Sequence, residues 1–330
     1  IMSDAEFDAK FGENCGNLGS AGTVNHIIPM LSQQKCHYFA DVYEFCEKMH
    51  KRGERAFWMS LKMDGIAAAI EYRDGKLFRV STRGDGNSGE DITAAAKKYI
   101  KREFLPRNSN NINENFEVRG EIVIPLSEMG YSPDINYRNV ACGLMMRKDL
   151  IESNVKCAFY AYDLIVDSMV LKENDKTGML AEFGFSVVPG VFVSTPCGMD
   201  EDIIKIAFDQ VKRCRNTFDC CCDGVVIKCD NAFIQNKLGC TKHHPRYSIA
   251  YKFPTKSAES VVTEIKIMTG RTGKETPVAS IEPVIIDGAK VSSVSLGSVD
   301  MMEKRGIKAG CKVVVERSGG VIPRIVEVIQ

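Results

Sequence analysis

Four consecutive residues of this 330-residue chain, Lys62-Met63-Asp64-Gly65, place a lysine two positions before a carboxylate, just after a strand-like segment. A lysine can attack a nucleotide α-phosphate and form a phosphoramidate. An ordinary lysine with a pKa near 10.4 is, however, only about 0.04% uncharged at pH 7. A nucleophilic lysine therefore needs a desolvated or cationic site that lowers its pKa. Taken alone, Lys-x-Asp-Gly better fits a surface lysine with Asp-Gly making the turn, so the motif needs the support of other residues.

Other strand-like segments carry charged side chains beside apolar ones. Glu117 and Glu121 share one face of a strand, because strand side chains repeat every two residues. Lys228 ends an apolar run, and Lys252 stands just before Pro254. Burying a lysine in an apolar strand is costly unless it is paired. Each lysine by itself could reach solvent at a strand end, but together with Lys-x-Asp-Gly they favour phosphate binding.

The hydrophobic pattern predicts the elements that would position these residues. Apolar residues at helical spacing predict helices, alternating or apolar runs predict strands, and Asp74-Gly75 between two runs predicts a hairpin turn. The predicted helices cover 41–52, 90–104 and 200–213, and the predicted strands cover 66–72, 76–80, 116–124, 224–229 and 247–253.

The composition changes after Pro254. Five short strands and one short helix in about 75 residues are typical of a small Greek-key barrel of the OB type. The predicted strands are 261–268, 278–284, 290–294, 311–316 and 321–329, and the helix is 299–305.

Composition excludes several classes of protein. Apolar residues make up 44% and charged residues 26% of the chain, which suits two globular domains with room for a fragment of a third. No apolar run approaches 18 residues and no signal peptide is evident, so we expect no membrane partner. With no secretory signal, the 13 cysteines favour a reducing compartment. None of them forms a Cys-x-x-Cys pair, so we expect no zinc site.

Charge is unevenly distributed along the chain. Lys+Arg and Asp+Glu both number 43, which argues against a chain uniformly coated for nucleic acid. Thr241–Gln330 nevertheless holds 14 lysines and arginines against 9 carboxylates. The neutral total therefore averages an acidic first part and a basic end, as expected if the barrel grips a duplex.

Longer motifs join these features. Throughout its length and in the same order, the chain resembles NAD-dependent DNA ligases of the bacterial type, which also occur in some large DNA viruses. The resemblance rests on SDAEFD (3–8), HIIPMLS (26–32), LKMDG (61–65), STRGDGNSGEDIT (81–93), EVRGEI (117–122), RNVACG (138–143), DGVVIK (223–228), LGCTKHHPRYSIAYKFP (238–254), GRTGKETPVASIEPV (270–284) and ERSGGVIP (316–323).

The resemblance implies an α+β fold. It consists of a nucleotidyltransferase (ATP-grasp-like ligase adenylation) domain of antiparallel sheets with helices, followed by a small OB-fold β-barrel. The implied domains are a remnant of the N-terminal nicotinamide mononucleotide-binding domain at 1–20, the adenylation domain at 21–254 and the DNA-binding OB-fold at 255–330.

The resemblance also implies roles for individual residues. Lys62 matches the adenylated lysine, and Asp64 would orient or activate it. Tyr162 would stack on adenine, Lys228 and Lys252 would contact phosphate, and Glu121 would contact the ribose. The remaining implied residues are Asp4, Asp8, Ser32, Gln33, Ser60 and Arg83 for the cofactor, Arg119, Arg138, Arg215, Arg271 and Arg317 for DNA, and Glu121 and Asp223 as helpers of a Mg²⁺ ion.

The implied reaction is the sealing of nicks in double-stranded DNA, in replication and repair. Lys62 takes AMP from NAD and passes it to the 5′-phosphate, and the 3′-hydroxyl then displaces AMP. Mg²⁺, or Mn²⁺ in its place, would balance charge on the phosphoryl oxygens. We expect a monomer located in the cytoplasm, or in the compartment of viral DNA replication if the source is a virus.

Departures from the family leave other functions open. Ser60 stands where the family usually has a glutamate that contacts adenine. Aligned without a gap, a family arginine falls on Met146, whereas a one-residue slip would place Arg147 there. Most of the N-terminal domain is missing, which would slow the NAD step and spare the sealing of pre-adenylated nicks. The alternatives are an ATP-dependent DNA or RNA ligase or capping-like enzyme, and a nick-binding module without catalysis.

Overall fold

The computed structural model describes residues 22–106, 115–130, 135–147, 149–166, 169–254, 257–269, 275–286, 289–318 and 322–329. The chain divides into two compact units. The described residues that lie within 22–130 and 137–253 form the first, and those within 135–136 and 254–329 form the second.

The first unit contains both strands and helices. Its described strands are β1 (Thr23–Asn25), β2 (Lys35–Cys36), β3 (Ala56–Met63), β4 (Ile66–Arg73), β5 (Lys76–Thr82), β6 (Ser88–Glu90), β7 (Phe116–Val123), β8 (Ala158–Val166), β9 (Gly190–Ser194), β10 (Cys222–Cys229) and β11 (Ser248–Lys252). Its described helices are α1 (Phe39–His50), α2 (Thr93–Tyr99), α3 (Leu126–Met129), α4 (Tyr137–Met145), α5 (Glu173–Glu182), α6 (Glu201–Cys214) and α7 (Ala232–Leu238), with a 3₁₀ turn at Arg102–Phe104.

These strands form two main sheets. A five-stranded sheet has the order β2-β11-β10-β3-β9, and a four-stranded sheet has the order β5-β4-β7-β8. The short strands β1 and β6 pair with each other. Neighbours in the two main sheets are antiparallel except β2 and β11, so the prediction of antiparallel sheets with helices is confirmed.

Alternation along β3 determines which side chains are available for chemistry. Phe57, Met59 and Leu61 are buried in a core shared with α1 and α6. Because strand side chains alternate between faces, Trp58, Ser60 and Lys62 lie on the opposite face. Burial of the apolar set therefore fixes Lys62 on the side away from this core.

The predicted hairpin is confirmed. Asp74 has φ +48° and Gly75 has φ +69°, so both central residues of the turn between β4 and β5 adopt the left-handed conformation that a type I′ turn requires. The single helix predicted over 90–104 was wrong. The chain becomes extended at Ile100, which bridges to Cys157, and this pairing separates α2 from the 3₁₀ turn.

The second unit contains the five strands and the helix that the sequence predicts, each within a few residues. They are β12 (Ser257–Thr269), β13 (Glu275–Ile286), β14 (Ala289–Ser295), α8 (Val299–Lys304), β15 (Lys312–Ser318) and β16 (Ile322–Ile329). The strand order is β14-β13-β12-β15-β16. The first part of β12 pairs with β15 and the rest with β13, around a core that includes Val262, Ile281 and Val313. These features confirm the predicted OB-type barrel.

No helix in the described part of the chain is both long enough and apolar enough to cross a membrane.

Gly120 in β7 allows a close approach between strands, which gives a test of the fold. A Cβ atom at this position would collide with the ring of Phe159 and the carbonyl of Tyr160. We expect Gly120→Ala to lower the free energy of unfolding by about 1–3 kcal/mol, measured from urea unfolding curves. Gly143→Ala in α4 is the matched control because its added methyl would meet no atom within 4 Å. Equal unfolding midpoints for the two variants would contradict the packing described for β7.

Candidate active site

Lys62 and Asp223 form an ion pair in a partly covered place. Nζ of Lys62 lies 2.9 Å from Oδ1 of Asp223, and each side chain is 26% exposed. Lys62 is opposite Gly224 across β3 and β10, and the register shifts between Cys222 and Gly224, beside Asp223. Gly224 allows β11 to approach, since a Cβ there would collide with the carbonyl of Tyr251. The local backbone thus places the carboxylate of Asp223 against the lysine.

The charge state of Lys62 differs from the expectation. Burial acts to lower the pKa of Lys62, but attraction and a hydrogen bond from Asp223 act to raise it. Glu121 and Asp64 add further attraction, and the net result is a pKa above the ordinary value of lysine. The expectation of a lowered pKa was wrong, because three carboxylates surround the ammonium.

Asp64 faces the same cluster of charges. Its carboxylate lies 3.7 Å from Nη1 of Arg138, and its backbone N–H donates to the carbonyl of Cys221 at 3.0 Å. Burial, followed by repulsion from Asp223, raises the pKa of Asp64, while the cations around it act in the opposite direction. Asp64 is therefore held near Lys62 and between opposing charges.

Glu121 brings the four-stranded sheet to the site. Its strand β7 pairs with β4, which begins one residue after Gly65. A Cβ on Gly65 would stand 2.9 Å from Cγ of Glu121, so glycine allows this approach. Burial raises the pKa of Glu121 to about 7, against the attraction of Lys62, Arg138 and Arg83. The carboxyl of Glu121 therefore changes charge near neutral pH.

Lys252 lies at the Lys62 end of the site. Gly224 pairs with Lys62 on one side and with Lys252 on the other. The two lysines therefore flank one glycine, with their Cα atoms about 10 Å apart. The charge of Lys252 also acts to lower the pKa of Asp64. A phosphate attacked by Lys62 would lie within reach of this second cation.

Lys228 lies at the other end of the site. It is four residues along β10 from Gly224, a distance of about 13 Å in a strand. Its Nζ donates to the carbonyl of Tyr162 at 3.3 Å and to Oε2 of Glu173 at 3.1 Å, and it lies 5.7 Å from the centre of the Tyr162 ring. This position separates Lys228 from the phosphate that Lys62 would attack. The contact with that phosphate stays an untested prediction, and the geometry favours a contact nearer Tyr162.

Arg83 is tied to the segment that contains Ser32. Its Nη1 donates to Oγ of Ser32 at 3.2 Å, and a ring nitrogen of His26 lies 3.1 Å from its carbonyl oxygen. Gln33 follows Ser32 in the chain, and its Oε1 accepts a hydrogen bond from Ser248 on β11. The segment before β2 therefore contacts both β11 and the chain that follows β5.

Two family models match this chain. The NAD-dependent DNA ligase adenylation domain matches residues 19–256, and the NAD-dependent DNA ligase OB-fold domain matches residues 259–330. The chain belongs to the NAD-dependent DNA ligase family. This result confirms the family resemblance inferred from the motifs.

Individual relatives support the same family. The chain is 35% identical over 322 residues to a DNA ligase of Solibacter usitatus (strain Ellin6076), covering 92% of this chain and 47% of that protein. It is 35% identical over 323 residues to a DNA ligase of Thermosipho africanus (strain TCF52B), covering 93% and 47%. The chain thus spans about half the length of the curated relatives it matches. A solved structure described as Pmar-Lig_PreS3 shares the fold, with a TM-score of 0.50 and 15% identity over 90% of this chain and 68% of that one.

The arginines that resemblance to the ligase family assigns to DNA have different environments. Arg119 is buried, donates to Glu117 at 2.7 Å and also bonds to the carbonyls of Ile28 and Pro29, so its guanidinium is bound within the fold. Arg215 lies 4.7 Å from the centre of the Phe253 ring.

Four further predicted positions complete the set. Arg317, in the second unit, donates to the carbonyl of Ile286 at 3.2 Å. Asp4, Asp8 and Arg271 lie outside the described residues.

The sequence pattern missed a buried network next to the site. Glu173, Lys176, Asp163 and Gln235 join Lys228 through hydrogen bonds and ion pairs. None of the four belongs to a motif, and they are separated in the chain. The only sequence signal was Lys228 itself, because a lysine at the end of an apolar strand requires a partner.

The pairing of Lys62 leads to a test by substitution. In Asp223→Asn the attraction that offsets burial is lost, so we expect the pKa of Lys62 to fall. The measurement is the pH dependence of the reaction of Lys62 with an amine-specific reagent, followed by mass spectrometry. Lys48→Ala, which removes an exposed lysine of α1, is the control and should leave the midpoint at Lys62 unchanged. An unchanged midpoint in Asp223→Asn would contradict the account of this ion pair.

Proposed function

We propose that the chain is the adenylation and DNA-binding core of an NAD-dependent DNA ligase that seals nicks between a 5′-phosphate and a 3′-hydroxyl. The observation that carries the proposal is the position of Lys62, which lies in a cluster of three carboxylates with Lys252 nearby. In this proposal residues 21–254 catalyse and residues 255–330 bind DNA. Residues 1–20 belong to the nicotinamide mononucleotide-binding domain.

The first step is nucleophilic attack by Lys62. A bond forms between Nζ and the α-phosphorus of NAD, and the bond from that phosphorus to the oxygen of nicotinamide mononucleotide breaks. The lysine must first lose a proton. Asp223 accepts its hydrogen bond in the free site, so this ion pair has to separate before the attack. The negative charge of the NAD phosphates would by itself favour the protonated lysine, and Lys252 is near enough to offset part of that charge.

Other groups of the site would bind the adenosine half of NAD. Tyr162 offers its ring for stacking on adenine, with Lys228 beside it. Arg83 is placed for a phosphate or ribose oxygen, and Glu121 for a ribose hydroxyl. The proposed cofactor-binding set is Ser32, Gln33, Ser60, Lys62, Arg83, Glu121, Tyr162, Lys228 and Lys252, together with Asp4 and Asp8 for the nicotinamide half.

A divalent cation would be held by few protein groups. No set of three or more metal-binding side chains stands ready to hold an ion among the described residues. Mg²⁺ commonly binds one or two carboxylates and completes its shell with substrate phosphates and water, so Asp223 and Glu121 fit as partial ligands. When bound, Mg²⁺ or Mn²⁺ would neutralise charge that develops on the phosphoryl oxygens. No zinc is required by the proposal.

The later steps use the same cations. AMP passes from Lys62 to the 5′-phosphate of the nick, forming a P–O–P linkage as the N–P bond breaks. The 3′-hydroxyl then attacks the DNA phosphorus, and AMP leaves. Both steps place negative charge on oxygens that Lys252 and Arg138 are positioned to stabilise.

Nicked double-stranded DNA is the proposed partner. The OB-type barrel with Arg317 and Arg271 would contact the backbone, as would Arg138 and Arg215 of the first unit. Residues 255–330 hold 11 lysines and arginines against 9 carboxylates, a smaller excess than that of Thr241–Gln330. The cations that make the difference, Lys242, Arg246 and Lys252, precede the barrel. The grip on DNA therefore depends on both units and should weaken steeply with salt.

We propose that the protein acts as a monomer in DNA replication and repair, in the bacterial cytoplasm or in the compartment where viral DNA replicates.

Covalent labelling tests the proposed reaction. The chain is incubated with Mg²⁺ and NAD or ATP carrying a label on the adenylate phosphate, then separated on a denaturing gel. We expect labelling from NAD, no labelling in Lys62→Ala, and labelling at the wild-type level in Lys48→Ala, which alters an exposed lysine of α1. Adding nicked DNA should discharge the label and produce sealed strands.

Other outcomes would overturn parts of the proposal. Labelling from ATP alone would indicate an ATP-dependent nucleotidyltransferase. A chain that binds nicked DNA without labelling, and that fails to seal pre-adenylated nicks, would be a non-catalytic nick-binding module. Persistent labelling of Lys62→Ala would show that another residue is the nucleophile.

A further inference from the structure

The partners of Lys228 form a buried network that the proposed reaction does not use. Lys228 is 8% exposed, Gln235 7% and Glu173 3%. Oε2 of Glu173 accepts from Lys228 at 3.1 Å, and Oε1 accepts from Lys176 at 2.9 Å and from Gln235 at 3.0 Å. Lys176 also donates to Asp163 at 2.7 Å. The network therefore contains two cations and two carboxylates, with Glu173 at its centre.

Three elements fix Glu173 in place. It is the first residue of α5, where its N–H donates to the carbonyl of Asp230 at 3.2 Å. A carboxylate in the first turn of a helix is also favoured by the helix dipole. Gln235 of α7 donates both to Glu173 and to the carbonyl of Cys229 at 2.7 Å. These hydrogen bonds hold Glu173 next to the end of β10, where Lys228 also lies.

The ammonium of Lys228 has a limited number of donors. A lysine carries three N–H groups. Glu173 and the carbonyl of Tyr162 accept two of them. No third acceptor for Lys228 is present among the described residues. One donor therefore remains for a ligand next to the Tyr162 ring.

Electrostatics supports a stable, charged arrangement. Burial acts to lower the pKa of Lys176, but Asp163 and Glu173 act to raise it, and the pKa lies well above the ordinary value. Burial acts to raise the pKa of Asp163, but Lys176 and Lys228 outweigh it, and the pKa lies below the ordinary value. Lys176 and Asp163 therefore stay ionised around neutral pH, and their ion pair fixes the position of Lys176 beside Glu173.

We propose that Glu173 is a positioning residue that holds Lys228 so that its remaining donor faces the nucleotide bound against Tyr162. Glu173 does not touch the nucleotide, and its effect passes through Lys228. The inference rests on the proposed function, because it needs a nucleotide in this site. The network also explains why a buried lysine is tolerated here: its charge is balanced within the fold before any ligand binds.

The chain offers its own probe of nucleotide binding. Trp58 is its single tryptophan, and it pairs with Lys228 across β3 and β10. Its fluorescence should respond when AMP is titrated into the full chain. This readout does not depend on NAD cleavage or on DNA.

The test compares AMP dissociation constants among variants. Glu173→Gln removes the negative charge and replaces one acceptor oxygen by an amide N–H₂, which faces the donors of Lys228, Lys176 and Gln235. Lys228 should therefore lose its position. We expect AMP to bind about tenfold more weakly, and Lys228→Met to have a similar effect. The double variant should bind no more weakly than Lys228→Met alone, because Glu173 acts through Lys228. Glu182→Gln, an exposed carboxylate on the same helix, is the matched control and should match the wild type.

If a thermal melt shows that Glu173→Gln does not fold, a second variant provides the test. Glu173→Asp keeps the charge and withdraws the oxygens by one methylene, so its dissociation constant should fall between those of the wild type and Lys228→Met. Unchanged AMP binding in both Glu173 variants, or losses that multiply in the double variant, would overturn the inference alone. A wild-type chain that binds no AMP would overturn the proposed function together with it.

Discussion

The ion pair between Lys62 and Asp223 joins two neighbouring strands at a place that is neither fully buried nor open, with each side chain 26% exposed. A lysine ammonium in such a place requires a counter-charge, because its desolvation is otherwise unfavourable. Asp223 supplies this charge, and Asp64 and Glu121 reinforce it. The same carboxylates that make the position tolerable keep the lysine protonated. Any reaction at Lys62 must therefore begin with a rearrangement of charge.

The rest of the first unit can be understood as support for this pair. Core packing of alternate residues in β3 directs Lys62 to the site face, and the registers of β10 and β11 place Lys252 on the other side of Gly224. Gly65 and Gly224 lack the Cβ atoms that would keep neighbouring strands apart. At the other end of β10, a second group of charges surrounds Lys228. Two lysines on neighbouring strands, Lys62 on β3 and Lys228 on β10, thus each have their own carboxylate partners, near opposite ends of β10.

Sequence reasoning was most accurate where local chemistry determines structure. The Asp74-Gly75 turn and the five barrel strands follow from turn residues and side-chain periodicity, and the structure contains all of them. The alternation expected in β7 is not seen in its burial, because Glu117 and Arg119 are buried together with the apolar residues. The helix predicted over 90–104 was wrong because Ile100 pairs with the distant Cys157, which no local pattern reveals.

The candidate site had the same limit. Motifs identified Lys62, Asp64 and Glu121, which the fold brings together. They could not give the direction of the pKa shift of Lys62, since this depends on how closely Asp223, Glu121 and Asp64 approach the ammonium in three dimensions. The network around Glu173 was missed for the same reason, because its members come from β8, α5, β10 and α7.

Peptide mapping of the adenylated chain tests the central claim, that Lys62 is the covalent nucleophile, most directly. The chain is exposed to NAD and Mg²⁺, digested near neutral pH and analysed by mass spectrometry. The account predicts the mass of AMP on the peptide that contains Lys62, and its loss after mild acid treatment, since a phosphoramidate bond is acid-labile. AMP on a peptide containing Lys228 or Lys252, or no adduct on any peptide, would contradict it.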